Sequence, residues 1–182
     1  MTQREDLLLK PGALIDGRWV ILELLGKGGM DEVYKAHQND LDRYVAFKVI
    51  SNSWIKSFEG DIDAINSVIE RFRREVQIMA QIKHPNVLRI YDHGTFPADA
   101  DDEPIDFTVM EYVPGGSLRS CMSDEGFYPD QNRARDWLIS FFLPLLEGVK
   151  ALHSPGIIHR DLKLVGGTGV PKDTQRIFCV RL

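Results

Sequence analysis

β-Branched and aromatic residues occupy many of the apolar positions from Arg18 to Ile50. The short polar and glycine-rich runs "GKGG" and "NDLD" interrupt them. Such runs are typical of tight turns between strands. The pattern therefore predicts three short β-strands near the start of the chain.

Helical spacing replaces this pattern in residues 61–83. Apolar residues with charges between them lie mostly on one helical face, at Ile65, Val68, Ile69, Phe72, Val76, Met79, Ala80 and Ile82. The pattern predicts one long amphipathic helix that ends before Pro85. Two further strands are predicted near "VLRIYDHGTF" and "DFTVMEYV", on either side of the acidic loop "PADADDEPI".

After Gly115 and Gly116 the pattern becomes helical. A short helix is predicted near "SLRSCM" and a longer one from about Gln131 to Ser154, with Pro144 expected to bend it. The longer helix is apolar around much of its circumference, at Trp137, Leu138, Phe141, Phe142, Leu145, Leu146, Val149 and Leu152. The order of elements predicts an α+β protein with a strand-rich lobe followed by a helical lobe.

Composition limits the class of protein without identifying a function. Of the 182 residues, 43% are hydrophobic and 27% are charged, which suits one soluble domain or a fragment of a larger protein. The net charge of -5 argues against a nucleic-acid-binding protein. Two cysteines, Cys121 and Cys179, are too few for a disulfide framework, and the chain does not start like a secretory signal. The longest apolar run, residues 138–146, is too short to span a bilayer, so we expect a cytoplasmic protein.

Three short motifs carry candidate chemistry. The glycines of "LGKGGMDEVYKA" would let the backbone of a hairpin approach a phosphate, although most glycine turns bind nothing. Strands are predicted on both sides of this sequence, whereas a dinucleotide-binding fingerprint requires a helix after it, so that fingerprint is excluded. Lys48 in "VAFK" is either an edge lysine or a buried cation that needs an anion, which Glu75 on the long helix could supply. Asp161 in "IIHRDLK", followed by Lys163, suits a base that accepts a hydroxyl proton, although a solvated turn is the simpler interpretation.

Together, and in this order, these signals resemble a protein kinase over about residues 18–163, and "GKGGM" and "RFRREVQ" are similar to the bacterial eukaryotic-like serine/threonine kinases. The resemblance implies a kinase-like fold with a five-stranded antiparallel sheet and one long helix, which binds ATP and phosphorylates protein Ser/Thr hydroxyls. It implies catalytic roles for Asp161, Lys163, Lys48 and Glu75. It implies a nucleotide site made of Leu25, Gly26, Lys27, Gly28, Gly29, Val33, Ala46, Lys48, Met110, Glu111 and Val113. In this set Met110 is the expected gatekeeper, and Glu111 and Val113 are expected to offer backbone hydrogen bonds to adenine.

Three departures from the family pattern bear on activity. Asp31 stands where the third glycine of the loop is expected, so its carboxylate would repel phosphates and weaken nucleotide binding. Leu164 replaces the usual proline, and Gly166 stands where the metal-binding asparagine is expected. No Asp-Phe-Gly sequence is present. We therefore expect no metal site, although the family uses Mg²⁺, and weak or absent phosphoryl transfer.

The resemblance also divides the chain, into an N-terminal extension (1–17), an N-lobe with its hinge (18–113), the start of a C-lobe (114–163) and a divergent tail (164–182). The tail is either the strand that normally precedes Asp-Phe-Gly or the product of a shifted reading frame, which we favour because "LVGGTG" has little strand propensity. Three functions stay open: a truncated ATP-dependent kinase, a nucleotide-binding pseudokinase or interaction module, and a non-functional fragment from a disrupted gene.

Overall fold

A six-stranded antiparallel sheet is the main element of the first part of the chain. The computed structural model describes residues 7–29, 31–50, 61–97, 104–114, 139 and 142–154. Its strands are β1 (Leu14–Ile15), β2 (Trp19–Lys27), β3 (Asp31–Gln38), β4 (Arg43–Ile50), β5 (Ile90–Phe96) and β6 (Ile105–Glu111). They lie in the order β1-β2-β3-β4-β6-β5, and neighbouring strands are antiparallel. The five predicted strands are present, and β1 adds a sixth from the segment that the sequence had suggested to be an extension.

The sixth strand exists because of a tight turn at Asp16 and Gly17. Both residues have a positive φ, 51° and 67°, as both central positions of a type I′ hairpin turn require. The N–H of Arg18 donates to the carbonyl of Ile15 at 3.0 Å and closes the turn. Asp-Gly is a strong hairpin signal, so the sequence does contain the mark of this strand.

One face of the sheet carries the hydrophobic core. The rings of Phe47 and Phe107 are stacked with their centroids 4.9 Å apart, and the ring of Trp19 lies edge-on to Phe107 at 5.2 Å. Leu9 and Ile15, from the segment before β2, are buried against the same cluster. This N-terminal segment is therefore part of the core and not a loose extension.

Helix α1 (Ile62–Ala80) confirms the amphipathic helix predicted for residues 61–83. Asp61 caps its start, since its carboxylate accepts a hydrogen bond from the N–H of Ala64 at 3.0 Å. The helix ends before Pro85, as predicted.

The chain separates into two compact units, formed by residues 1–73 with 90–112 and by residues 74–89 with 113–182. All six strands belong to the first unit. The described part of the second unit contains helix α2 (Leu143–His153).

Helix α2 lies within the longer helix predicted for residues 131–154. Pro144 is in its first turn, a position that proline commonly occupies. Gly148 is buried, and a Cβ at this position would lie 2.9 Å from the carbonyl oxygen of Asn86, so the contact requires glycine. The short helix predicted near residues 117–122, like the beginning of the longer one, lies outside the described residues.

Candidate functional site

The glycine-rich sequence forms a hairpin between two strands, as predicted. The N–H of Gly28 donates to the carbonyl of Asp31, the first residue of β3, at 2.7 Å. Gly26 lies opposite Val33, and the register between β2 and β3 shifts at Leu25. Such irregularities increase the local twist of a hairpin. The loop therefore extends the sheet and does not lead into a helix.

Four of the predicted nucleotide-binding residues share one face of the sheet. Val33 lies opposite Lys48, and Ala46 lies opposite Met110. Cross-strand partners in an antiparallel sheet point to the same side. Because side chains alternate along β4, this face is opposite the one that carries Phe47 and the aromatic core. The face combines the buried apolar side chains of Ala46 and Met110 with the buried ammonium group of Lys48. A second lysine, Lys35, lies opposite Ala46 on the same face.

Asp31 is an ion-pair partner of Lys48. Nζ of Lys48 lies 2.9 Å from Oδ2 of Asp31, and the two side chains are 3% and 14% exposed. A buried ammonium is costly unless an anion faces it, so a lysine at this position needs such a partner. The sequence suggested that Asp31 acts on phosphates, whereas its carboxylate contacts the lysine itself. The proposed pairing of Lys48 with Glu75 stays a prediction.

The buried carboxylate of Glu32 connects the hairpin to the N-terminal segment. Nζ of Lys27 lies 3.1 Å from Oε1 of Glu32, and the N–H of Leu8 donates to Oε2 at 3.0 Å. The hydroxyl of Tyr34 also donates to Glu32, and it accepts a hydrogen bond from the N–H of Leu9 at 3.1 Å. Burial, and next the hydrogen bond to Glu32, raise the pKa of Tyr34. Lys27, a predicted nucleotide-binding residue, is thus engaged by Glu32.

Arg73 joins helix α1 to strand β6. Its Nε and Nη2 donate to the two carboxylate oxygens of Asp106 at 2.7 and 3.0 Å. The side chain of Asp106 is 2% exposed and that of Arg73 is 42% exposed. The hydrogen bond to Asp106 raises the pKa of Arg73. The sequence held no local signal for this pair, because its members lie in different elements far apart along the chain.

Glu111 and Val113 lie at the end of strand β6. Glu111 is the last residue of the strand and pairs with Val45, and Val113 follows outside the strand. The ring of Tyr112, between them in sequence, lies 5.1 Å from the ammonium of Lys35. Backbone hydrogen bonds from Glu111 and Val113 to adenine stay predictions.

The catalytic-loop candidates Asp161, Lys163 and Gly166 lie outside the described residues. Within the described ranges, no cluster of three His, Cys, Asp or Glu side chains is suited to a metal ion. Gly166, where the resemblance places a metal ligand, has no side-chain oxygen to offer. The same described ranges contain no helix that is both long and apolar enough to cross a membrane.

Comparison with known proteins identifies the family. Residues 19–165 match the protein kinase domain. The serine/threonine-protein kinase Pkn2 of Myxococcus xanthus is 37% identical over 157 residues, which cover 86% of this chain and 16% of Pkn2. The serine/threonine-protein kinase PrkC of Bacillus subtilis is 33% identical over 153 residues, which cover 84% of this chain and 20% of PrkC.

A solved structure has the same fold. The kinase domain of Mycobacterium tuberculosis PknI, as a double mutant, matches with a TM-score of 0.71 at 22% identity, and the match covers 94% of this chain and 60% of that one. The predicted α+β, kinase-like fold is thereby confirmed. The chain spans a quarter or less of the length of the curated relatives named here. The family match, the curated relatives and the fold agree: this chain belongs to the protein kinase family and is homologous to bacterial serine/threonine kinases.

Proposed function

We propose that this chain is an ATP-dependent serine/threonine protein kinase domain whose phosphoryl transfer is slow. The observation that carries the proposal is Lys48, a buried ammonium on the sheet face that also presents Ala46 and Met110. Phosphate oxygens suit the ammonium and an adenine ring suits the apolar neighbours. Membership of the family implies ATP, Mg²⁺ and protein substrates. The proposed compartment is the cytoplasm, where ATP and reduced cysteines occur together.

In the proposed reaction, the protein neutralises the charge of the phosphates and accepts the proton of the substrate hydroxyl. Lys48 neutralises phosphate oxygens of ATP, and Glu75 holds its ammonium in place. The oxygen of a substrate Ser/Thr hydroxyl bonds to the terminal phosphorus while the bond from that phosphorus to the oxygen of ADP breaks. Asp161 accepts the hydroxyl proton, and Lys163 stabilises the charge beside it.

Gly166 and Asp31 are the reasons for proposing slow transfer. Phosphoryl transfer depends mainly on positioning and on neutralising the charge of the phosphates. In the family Mg²⁺ supplies much of that neutralisation, and Gly166 cannot ligate it through a side chain. Asp31 adds negative charge to the face that carries Lys48. Both changes weaken the electrostatic part of catalysis and leave the base-binding surface in place.

The test combines a melting curve with a transfer assay. ATP should raise the melting temperature of the wild-type chain, because a ligand that binds only the folded state stabilises it, by about 2.7 kcal/mol at a concentration near 100 times Kd. Labelled ATP should transfer phosphate slowly to a generic Ser/Thr substrate. Lys48→Met should abolish transfer and reduce the rise in melting temperature, whereas Lys83→Met, which removes the same charge from an exposed position, should preserve both effects.

A second candidate is a nucleotide-binding module without transfer. The Asp31–Lys48 ion pair, together with Gly166, favours it. A Lys48-dependent rise in melting temperature with no transfer of label would support this candidate over the enzyme. If neither ATP nor ADP changes the melting temperature, both proposals are wrong.

A further inference from the structure

The carboxylate of Asp31 engages two parts of the nucleotide-binding hairpin and sheet at once. Its Oδ2 lies 2.9 Å from Nζ of Lys48. Its Oδ1 lies beside Gly28, where an added Cβ would approach it to 2.9 Å. The space that glycine leaves in this loop is therefore used by a carboxylate of the chain itself.

Strand register explains why this contact forms. Val33 lies directly opposite Lys48. Asp31 precedes Val33 by two residues on β3, so its side chain points to the same face of the sheet. A diagonal cross-strand neighbour is within reach of a long side chain such as lysine. The ion pair is thus a product of the sheet and not only of the loop conformation.

We propose that Asp31 determines which ligands this site prefers, by occupying Lys48 in place of phosphate. This inference rests on the proposed function, because it assumes that a nucleotide binds on this face. Carboxylate and phosphate are both anionic acceptors that suit an ammonium, so they compete for Lys48. ATP must displace the carboxylate, whereas adenosine carries no phosphate and leaves the ion pair intact. Asp31 therefore lowers the affinity for ATP and spares the affinity for adenosine.

The ion pair is built so that it can open. Lys48 is nearly inaccessible at 3% exposure, whereas Asp31 at 14% already reaches solvent. Gly28, which lies beside the carboxylate, is also exposed. When only the open form can bind, the apparent affinity falls in proportion to the open fraction. Coupling between two equilibria, here opening of the ion pair and binding of ATP, typically changes affinity by about 5- to 150-fold.

The experiment compares two ligands on four proteins. Isothermal titration gives Kd for adenosine and for ATP with the wild type, Asp31→Asn, Asp31→Ser and the control Asp16→Asn, and circular dichroism confirms that each variant is folded. Asp16 is exposed and has a φ of 51°, which asparagine tolerates, so the control removes one negative charge far along the sequence from Lys48. We expect both Asp31 variants to bind ATP about tenfold more tightly than the wild type. Their Kd for adenosine should differ from that of the wild type by less than about twofold. The control should match the wild type.

Three outcomes would overturn the inference. If the Asp31 variants change the Kd of both ligands by the same factor, or change neither Kd, the ion pair is only a structural contact. If Asp16→Asn tightens ATP binding as much, the effect belongs to net charge and not to Lys48. If neither ligand binds to any of the four proteins, the proposed function fails as well. Adenosine binding to the wild type separates that last case from the others.

Discussion

Replacing Thr108 by valine should stabilise this protein. Thr108 lies in the middle of strand β6, opposite Lys48 on β4 and opposite His93 on β5. Thr108 is 0% exposed, and its hydroxyl has no hydrogen-bond partner among the described residues. Among the described residues, nothing replaces the hydrogen bonds that this hydroxyl makes with water in the unfolded chain.

The expected gain follows from the cost of that group. A buried polar group without a partner costs about 1 to 3 kcal/mol. Valine has nearly the same shape as threonine, favours strands, and replaces the hydroxyl with a methyl group. We expect the free energy of unfolding to rise by about 1 to 2 kcal/mol. For a chain of this size each kcal/mol corresponds to about 2 to 4 °C in melting temperature.

Urea unfolding followed by circular dichroism measures the change. The matched control is Thr95→Val, which makes the same substitution at an exposed position of β5 and should change stability by less than about 0.5 kcal/mol. If Thr108→Val instead loses about 1 kcal/mol of stability, the hydroxyl has a partner, such as an ordered water, and is not an unsatisfied group.

Two further predictions concern the Arg73–Asp106 pair and Tyr34. Arg73→Ala should destabilise the protein by about 2 kcal/mol in urea unfolding, because it leaves the buried carboxylate of Asp106 without its partner. The loss should be smaller than the roughly 3 to 5 kcal/mol typical of a fully buried pair, since Arg73 is 42% exposed. An unchanged stability would mean that the folded state does not need Arg73 to compensate the charge of Asp106. Because the pKa of Tyr34 is raised, the folded state keeps a proton that the unfolded chain releases above about pH 10. The contribution of Tyr34 to the free energy of unfolding should therefore be fully present below that pH and decrease above it. In Tyr34→Phe the urea midpoint should fall less steeply at alkaline pH than in the wild type. Identical pH profiles for the two proteins would contradict the assignment.

Periodicity predicted the elements well because their hydrophobic faces are simple. Strand β3 and the helix of residues 61–83 each bury mainly one face, so their apolar spacing is visible in the sequence. Strand β4 is buried on both faces, and its run of apolar residues gave the signal instead. Strand β1 was missed because it has only two residues, too few for any period. Its signal was the turn dipeptide Asp16–Gly17.

The contacts of the site were harder to predict than its surface. Val33, Ala46, Lys48 and Met110 fall on one face because alternation along each strand places them there. The partner of a charged group depends instead on register between strands, which one sequence does not reveal. Asp31 was therefore predicted to face phosphates when it contacts Lys48. The predicted roles of Asp161 and Lys163 concern residues outside the described ranges and stay predictions.

The covering of the aromatic core by Leu9 and Ile15 matters for anyone who trims this protein. The match to the kinase family starts at residue 19, yet these two side chains are only 5% and 7% exposed. Cutting at the boundary that similarity suggests would forfeit about 1.5 to 3 kcal/mol for each of them and would remove the amides that cap Glu32 and Tyr34. A low melting temperature of such a shortened protein would report the position of the cut and not the intrinsic robustness of the sheet.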